Sequence, residues 1–348
     1  MNLPLPRLAA ILLGTVAAGP WLVQESGTTA RLRGVSVVDG EVAWASGAGG
    51  TCVRTTDGGA TWKGVVVPEA AGLDFRDVHA VDARTAYLLS IGAGELSRVY
   101  KTTDGGATWA RSYRNPDPRG FLDAIAFRDA DHGLALGDPV DGRFVVLATV
   151  DGGRTWARTP ASGMPEALPG EGAFAASGTC LVVDGRGHAW FATGGAARAR
   201  VFRSSDDGQT WAVADTPIRA GNPSSGVFSM AFSDDGHGVA VGGDYRRPDE
   251  AGGNLATTSD GGQTWTAAAG PRPSGFRSAV AYVPGRAGPT LVAVGPSGSD
   301  LSEDGGRTWR TLGPGGFHAL GFAHPGVGWA VGEGGRIGRF ASNHIDIR

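Results

Sequence analysis

The strongest constraint on this fold is an octapeptide, hydroxyl-x-Asp-x-Gly-x-Thr-Trp, that recurs six times, at 55–62, 102–109, 149–156, 204–211, 258–265 and 302–309. Its closing tryptophans, Trp62, Trp109, Trp156, Trp211, Trp265 and Trp309, are 47, 47, 55, 54 and 44 residues apart. That spacing lies at the roughly 40–50-residue period of propeller blades and well above that of leucine-rich or ankyrin repeats. The spacing predicts one blade per repeat.

The residues ahead of each octapeptide carry the same strand-and-turn pattern. In the second repeat 75–81, 86–91 and 99–102 read as strands, and the octapeptide turns the chain into a fourth, 109–113. Alternating apolar and β-branched residues support strands, and the Asp-Gly-Gly core supports a turn with positive φ. A further half-repeat follows Trp309, with strands expected at 317–322, 327–332 and 336–340 but no octapeptide. Its missing fourth strand is predicted at the other end of the sequence, in Trp21-Leu22-Val23-Gln24-Glu25. Trp21 precedes Arg33 by twelve residues, as Trp265 precedes Arg277. The expected fold is therefore all-β: a seven-bladed β-propeller of four-stranded antiparallel blades, closed by the N-terminal strand pairing into the last blade. Six blades with frayed ends would leave 317–340 without a role.

The octapeptide chemistry reads as scaffold. An Asp side chain accepts backbone N–H bonds within its own turn, Gly supplies the left-handed conformation, and Thr or Ser adds a local hydrogen bond. Tryptophan buries a large ring between blades. The six aspartates, Asp57, Asp104, Asp151, Asp206, Asp260 and Asp304, stand at identical places around a ring and so read as structural, not catalytic. On these residues the chain resembles the Asp-box, or bacterial neuraminidase, repeats of sialidase-type propellers. With the Gly-Trp-Ala-Val-Gly pattern at 328–332, it also resembles the photosystem II stability/assembly factor family and its relatives in non-photosynthetic bacteria.

Glycine makes up 59 of the 348 residues, which suits short strands and tight turns. Net charge is −3, and the cations are arginines apart from Lys63 and Lys101, scattered without runs. No nucleic-acid or membrane-surface stripe follows. Cys52 and Cys180 are too far apart in sequence for a zinc motif or a disulfide framework and are read as small core residues. No metal site or cofactor is expected. Residues 1–18, with Arg7, an apolar run from Leu8 and Val16-Ala17-Ala18, read as a secretory signal peptide ahead of a single domain over 19–348. An uncleaved anchor is the alternative. The run is shorter than the roughly 20 residues of a transmembrane helix. A periplasmic or secreted monomer with no stable membrane span is expected.

In this blade order the first-to-second and third-to-fourth turns share one face with the Asp boxes. His132, His188 and His237 fall in first-to-second turns and read as turn residues. The second-to-third loops and blade connections form the opposite, irregular face, where individuality is expected. Its candidates are Asp138, Asp141 and Arg143, then Asp244, Tyr245 and Arg246 in a long loop, and a long connection over 159–172 with Glu166 and Glu171. Innermost strands begin near this face with Arg33, Arg76, Arg277 and the near-equivalent His318. A mouth presenting several cations is expected there, with solvated turn charges as the alternative.

Two functions remain open. One is a non-catalytic binding or assembly-factor-like protein that takes a protein partner, an anionic ligand or a glycan on the loop face. The other is a sialidase-superfamily-like glycoside hydrolase. The Phe/Tyr-Arg-Ile-Pro segment of sialidases is absent, since Thr29-Ala30-Arg31-Leu32-Arg33-Gly34-Val35 stands where it belongs. A carboxylate pair at glycosidase spacing could still be drawn from Asp138, Asp141, Asp244, Asp249 and Glu250.

Overall fold

A computed structural model describes residues 19–324 and 327–341; the expected leader at 1–18 lies outside them. The described strands form seven four-stranded antiparallel sheets. In sequence order they make blades 1 to 6 (residues 32–64, 74–114, 122–158, 181–215, 225–267 and 279–313). Blade 7 combines 319–340 with Trp21–Gln24. The strands of blade 2, Asp74–Ala80, Ala86–Ile91, Arg98–Thr102 and Ala110–Arg114, lie within a residue or so of those expected. Helical content among the described residues is three single turns of 3-10 helix, and none is long and apolar enough to cross a membrane.

Second strands are covered on both sides, as their near-continuous small and apolar runs require. Ala43–Gly47 and Gly238–Asp244 are buried throughout. Seven hydrophobic clusters follow, one at each junction between neighbouring blades. Box tryptophans fill them from one side: Trp109 of blade 2 stands edge-on to Trp44 of blade 1, and Trp62 of blade 1 to Trp329 of blade 7. Five of the six are buried, and Trp156 is half-buried. Cys52 and Cys180 are buried free thiols inside two of these clusters.

Each Asp box is a closed hydrogen-bond circuit. In blade 2 Asp104 Oδ1 accepts the Thr108 N–H at 2.9 Å and the Thr102 hydroxyl at 2.8 Å, while Oδ2 accepts the Thr108 hydroxyl at 2.6 Å. Thr102 Oγ1 in turn accepts the Gly106 N–H. The other five boxes repeat this pattern. The first-to-second turns carry a second repeated cap: Asp129, Asp184 and Asp234 each accept a backbone N–H and the Nδ1 contact of His132, His188 and His237.

The ring closes as expected. Trp21–Gln24 pairs antiparallel with Ile337–Phe340. The Trp21 ring packs 5.1 Å from both Phe317 and Phe340, and its Nε1 donates to Ser299 Oγ in blade 6. Gln24 spans the seam, because its Oε1 accepts the indole N–H of Trp62 in blade 1 at 3.0 Å and of Trp329 in blade 7 at 2.9 Å.

Two predictions follow from these contacts. Deleting residues 21–28 should sharply lower the melting temperature by opening two sheet edges. Gln24→Leu, which strands two indole donors, should cost roughly 1–3 kcal/mol in denaturant unfolding; unchanged melting of both variants would refute the closure. Thr108 bonds hold the Asp104 carboxyl down at about 2, below its ordinary 3.8. Its contribution to stability is thus complete above the ordinary carboxylate range and fades as pH falls toward 2. Asp104→Ala should lower the melting temperature at pH 7 and converge on the wild type in strong acid, as read by pH-dependent calorimetry.

Candidate binding site at the axial mouth

Four innermost strands carry a register irregularity within their first few residues, between Leu32 and Gly34, Phe75 and Asp77, Leu122 and Ala124, and Val227 and Ser229. A bulge leaves its extra residue unpaired and re-aims its side chain. Here those residues are Arg33, Arg76, Asp123 and Phe228. All four line a cavity of about 570 Å³ at the axis, whose walls draw on blades 1, 2, 3, 5, 6 and 7 and on the connection into blade 4. His318 enters from blade 7, and Phe276 and Ser278 from blade 6.

The cavity has a floor because the connection from blade 3 to blade 4 crosses the axis. Phe174 stacks on Phe228 of blade 5 at 3.8 Å, the Ala175 carbonyl accepts from Arg76 of blade 2, and the Ser177 hydroxyl donates to the Ser278 carbonyl of blade 6. Gly178 makes the crossing possible. Its φ is +79°, and a Cβ there would lie 2.1 Å from Asp77 Oδ1. The extra length of the 55-residue repeat therefore becomes this floor. The rest of that connection is fastened by a buried ion pair of Glu171 with Arg200, with the Thr193 hydroxyl on the same carboxylate.

Charge is divided around the mouth. Arg76 donates to Asp74 at 2.8 Å, a carboxylate that also lies 3.6 Å from Arg31. Arg33 makes no side-chain hydrogen bond or ion pair among the described residues, and its Nε is buried without a partner. Burial, then the repulsion of Arg76 and Arg31, pulls its guanidinium down to about 10. It remains a cation at neutral pH. Blade 3 supplies two carboxyls. Asp123 is buried with Oδ2 unpartnered, and burial together with the charge of Asp138 pushes it well above the ordinary range. Asp138 accepts the Ala173 N–H at 3.0 Å, and burial raises it to about 6. The floor segment and blades 5 and 6 supply an aromatic wall: Phe228 lies between Phe174 and Phe276, with Tyr245 edge-on at 6.1 Å.

The other expected site residues are placed differently. Arg277 does not face the mouth: its side chain is fully buried and paired with Asp300, with Ser274 and Ser297 taking further donors. A blade-6 carboxylate within reach withdraws it. His318 lines the mouth but is not a cation there, because burial and then Arg33 depress it to about 4 while Glu333 holds Nε2 at 2.9 Å. Asp138 is not in an irregular loop. It lies in strand Gly133–Val140, and the loop shrinks to Asp141-Gly142, both with positive φ as a two-residue hairpin turn demands. Asp141 reaches out to Arg119, and Arg143 to Glu166. Asp244 is buried as a turn cap for Ser224, Asn222 and the Arg246 N–H, and Arg246 itself is exposed outside the cavity. Asp123, Phe174, Phe228 and Phe276 are the additions. Two were findable by repeat alignment, since Leu122-Asp123 and Val227-Phe228 stand where Leu32-Arg33 and Phe75-Arg76 do.

No protein-family model matches the chain, and no curated protein matches its sequence. Solved structures do resemble it. A structure of YCF48 bound to D1 peptide aligns at 21% identity and TM-score 0.64, over 94% of this chain and 98% of that one. YCF48 from Cyanidioschyzon merolae aligns at 18% identity and TM-score 0.67, over 94% of this chain and all of that one. The GH74 xyloglucanase from Xanthomonas campestris aligns at 19% identity and TM-score 0.64, where this chain spans 55% of the enzyme. At such identities the likeness is one of fold. The chain shares the seven-bladed architecture of YCF48 and of the GH74 propellers.

The raised Asp138 carboxyl gives a testable sign. The folded protein holds this proton more tightly than the unfolded chain does, so no penalty exists below about pH 4 and one grows as pH rises through 6. Asp138→Asn, which keeps an acceptor for Ala173, should match the wild type near pH 4 and exceed its stability near pH 8 by up to roughly 3 kcal/mol. Parallel denaturant titrations at the two pH values check this.

Proposed function

We propose that this is an exported, non-catalytic binding module that acts as a monomer and docks an anionic segment of a protein partner in the axial mouth. One observation carries the reading: Arg33, a partly buried guanidinium without a partner among the described residues, lines a roomy cavity beside Arg76. An uncompensated cation in such a place costs stability, and an arriving carboxylate would satisfy it with charge-assisted hydrogen bonds. The structural likeness to YCF48 bound to D1 peptide supports a peptide as the form of the ligand. Export rests on the leader-like residues 1–18, and would be tested by finding the mature chain, cut ahead of Trp21, in the periplasm or medium.

A glycoside hydrolase is the second reading. It draws on the likeness to the xyloglucanase and on two carboxyls with raised proton affinity, Asp123 and Asp138, in one cavity with an aromatic wall. A protonated acid beside a carboxylate is what glycosidic cleavage requires. The cationic wall favours the binding reading.

Arg33→Glu should abolish partner capture from the host envelope, while Asp104→Ala, once folded, should retain it. Hydrolysis of xyloglucan or a sialoside by the wild type, lost in Asp123→Asn or Asp138→Asn, would replace the binding reading with the hydrolase.

A further inference from the structure

The hydrophobic clusters of the molecule fall into two kinds. Seven fill the junctions between blades. The eighth, Ala176, Phe228 and Phe276 with Phe174 against them, belongs to none of these and lies at the axial mouth. Tyr245 extends it into solvent, with 45% of its surface exposed and its ring edge-on to Phe228. Phe228 and Phe276 are themselves buried by this packing, so the aromatic surface left open is that of half-buried Phe174 and exposed Tyr245, and it offers flat contact area of low conformational cost to a ligand.

The cluster also stands at a defined place relative to charge. Arg33 and Arg76 come from blades 1 and 2, and the aromatic wall from blades 5 and 6 and the floor segment, so the two walls face each other across one cavity of about 570 Å³. That space is of the order that buries a small ligand or one or two side chains. A simple anion would use the cationic wall and leave Phe174 and Tyr245 wet, and a purely apolar ligand would leave Arg33 unpaired. Both walls are satisfied together only by a group that carries its charge next to a ring.

We propose that the axial mouth is a two-sided receptor for a peptide segment in which a carboxylate lies immediately beside an aromatic side chain, the carboxylate meeting Arg33 and Arg76 and the ring meeting Phe174 and Tyr245, which Phe228 backs. This rests on the binding reading above and names the chemistry of its ligand. The carboxylate comes either from a chain terminus or from an Asp or Glu side chain.

The test is isothermal titration of the intact protein with four acetylated pentapeptides of otherwise Gly-Ser sequence. One ends in Phe with a free carboxylate, one is its amide, one ends in Ser with a free carboxylate, and one carries internal Asp-Phe with an amidated end. The free Phe acid should bind about tenfold more tightly than the Ser acid, from ring contact beyond simple burial, and more tightly than the Phe amide. Equal binding of the amidated Asp-Phe peptide identifies a side-chain source, and its failure a chain terminus. Tyr245→Ala, at an exposed position outside the blade cores, should erase the preference for Phe over Ser while leaving the melting temperature unchanged. Arg33→Gln should erase the preference for acid over amide. Equal affinity for the Phe and Ser acids would overturn the two-sided receptor and leave the anionic reading standing. Equal affinity for the Phe acid and its amide would overturn both. Binding of none of the four, or binding only of a xyloglucan oligosaccharide or a sialoside, sinks the peptide proposal.

Discussion

A four-stranded blade has two apolar faces and can bury neither by itself. Every core in this molecule is accordingly shared, and the box tryptophans reach across the junctions to complete them. Such a ring is only as sound as its last junction, since one open seam exposes two blade faces and two strand edges at once. Trp21 and Gln24 therefore carry weight out of proportion to a four-residue strand. Trp21 fills the junction of blades 6 and 7, and Gln24 accepts indole donors from blades 7 and 1.

The same arrangement sorts the two ends of the ring. At the box end every turn repeats one hydrogen-bond circuit, so its carboxylates are committed to backbone and hydroxyl donors. At the other end the innermost strands converge on the axis, and a single bulge position, taken with its near-equivalents, presents Arg33, Arg76, Asp123, Phe228, Arg277 or His318. Repetition of the backbone with divergence of the side chain turns a structural irregularity into a site with an adjustable wall. The crossing at 173–178 then makes that site a dead end, because it spans from blade 2 to blade 6 and fills the axis behind the mouth.

Blade number, strand order and closure were legible because each rests on local periodicity and on residues whose chemistry is spent within a few positions of themselves. The mouth was only partly legible. Arg33, Arg76, Asp138 and Tyr245 do line it, but Arg277 was lost to a carboxylate 23 residues away that no local rule pairs with it. His318 has its charge removed by burial and by the neighbouring Arg33, both products of ring closure. Asp244 reads as a loop charge, yet Ser224 and Asn222 from the preceding connection convert it into a buried cap. Phe174 lies just past the long connection read at 159–172, in a stretch given no role there. Its place on the axis depends on Gly178 fitting over Asp77, a contact between segments roughly a hundred residues apart.

What separates a structural from a receptive polar group here is whether the fold completes it. Arg277 with Asp300 and Arg200 with Glu171 are buried ions given full sets of partners, and they hold a blade end and the long connection in place. Arg33 and Asp123 are equally part of the scaffold's interior edge, yet each keeps an unpartnered polar atom at the cavity. An apolar residue at either position would remove a desolvation penalty at no loss of hydrogen bonding, so packing alone gives no reason for them. Their opposite character is informative as well. Burial leaves Arg33 charged at neutral pH and shifts the Asp123 carboxyl toward its neutral form, so the same desolvation acts in opposite senses on the two groups. Asp138 lines the same cavity, and its charge is lost as pH falls through about 6. Burial in one cavity thus spares the charge of a guanidinium while drawing carboxyls toward neutrality, so mild acidification lowers the negative charge lining the mouth.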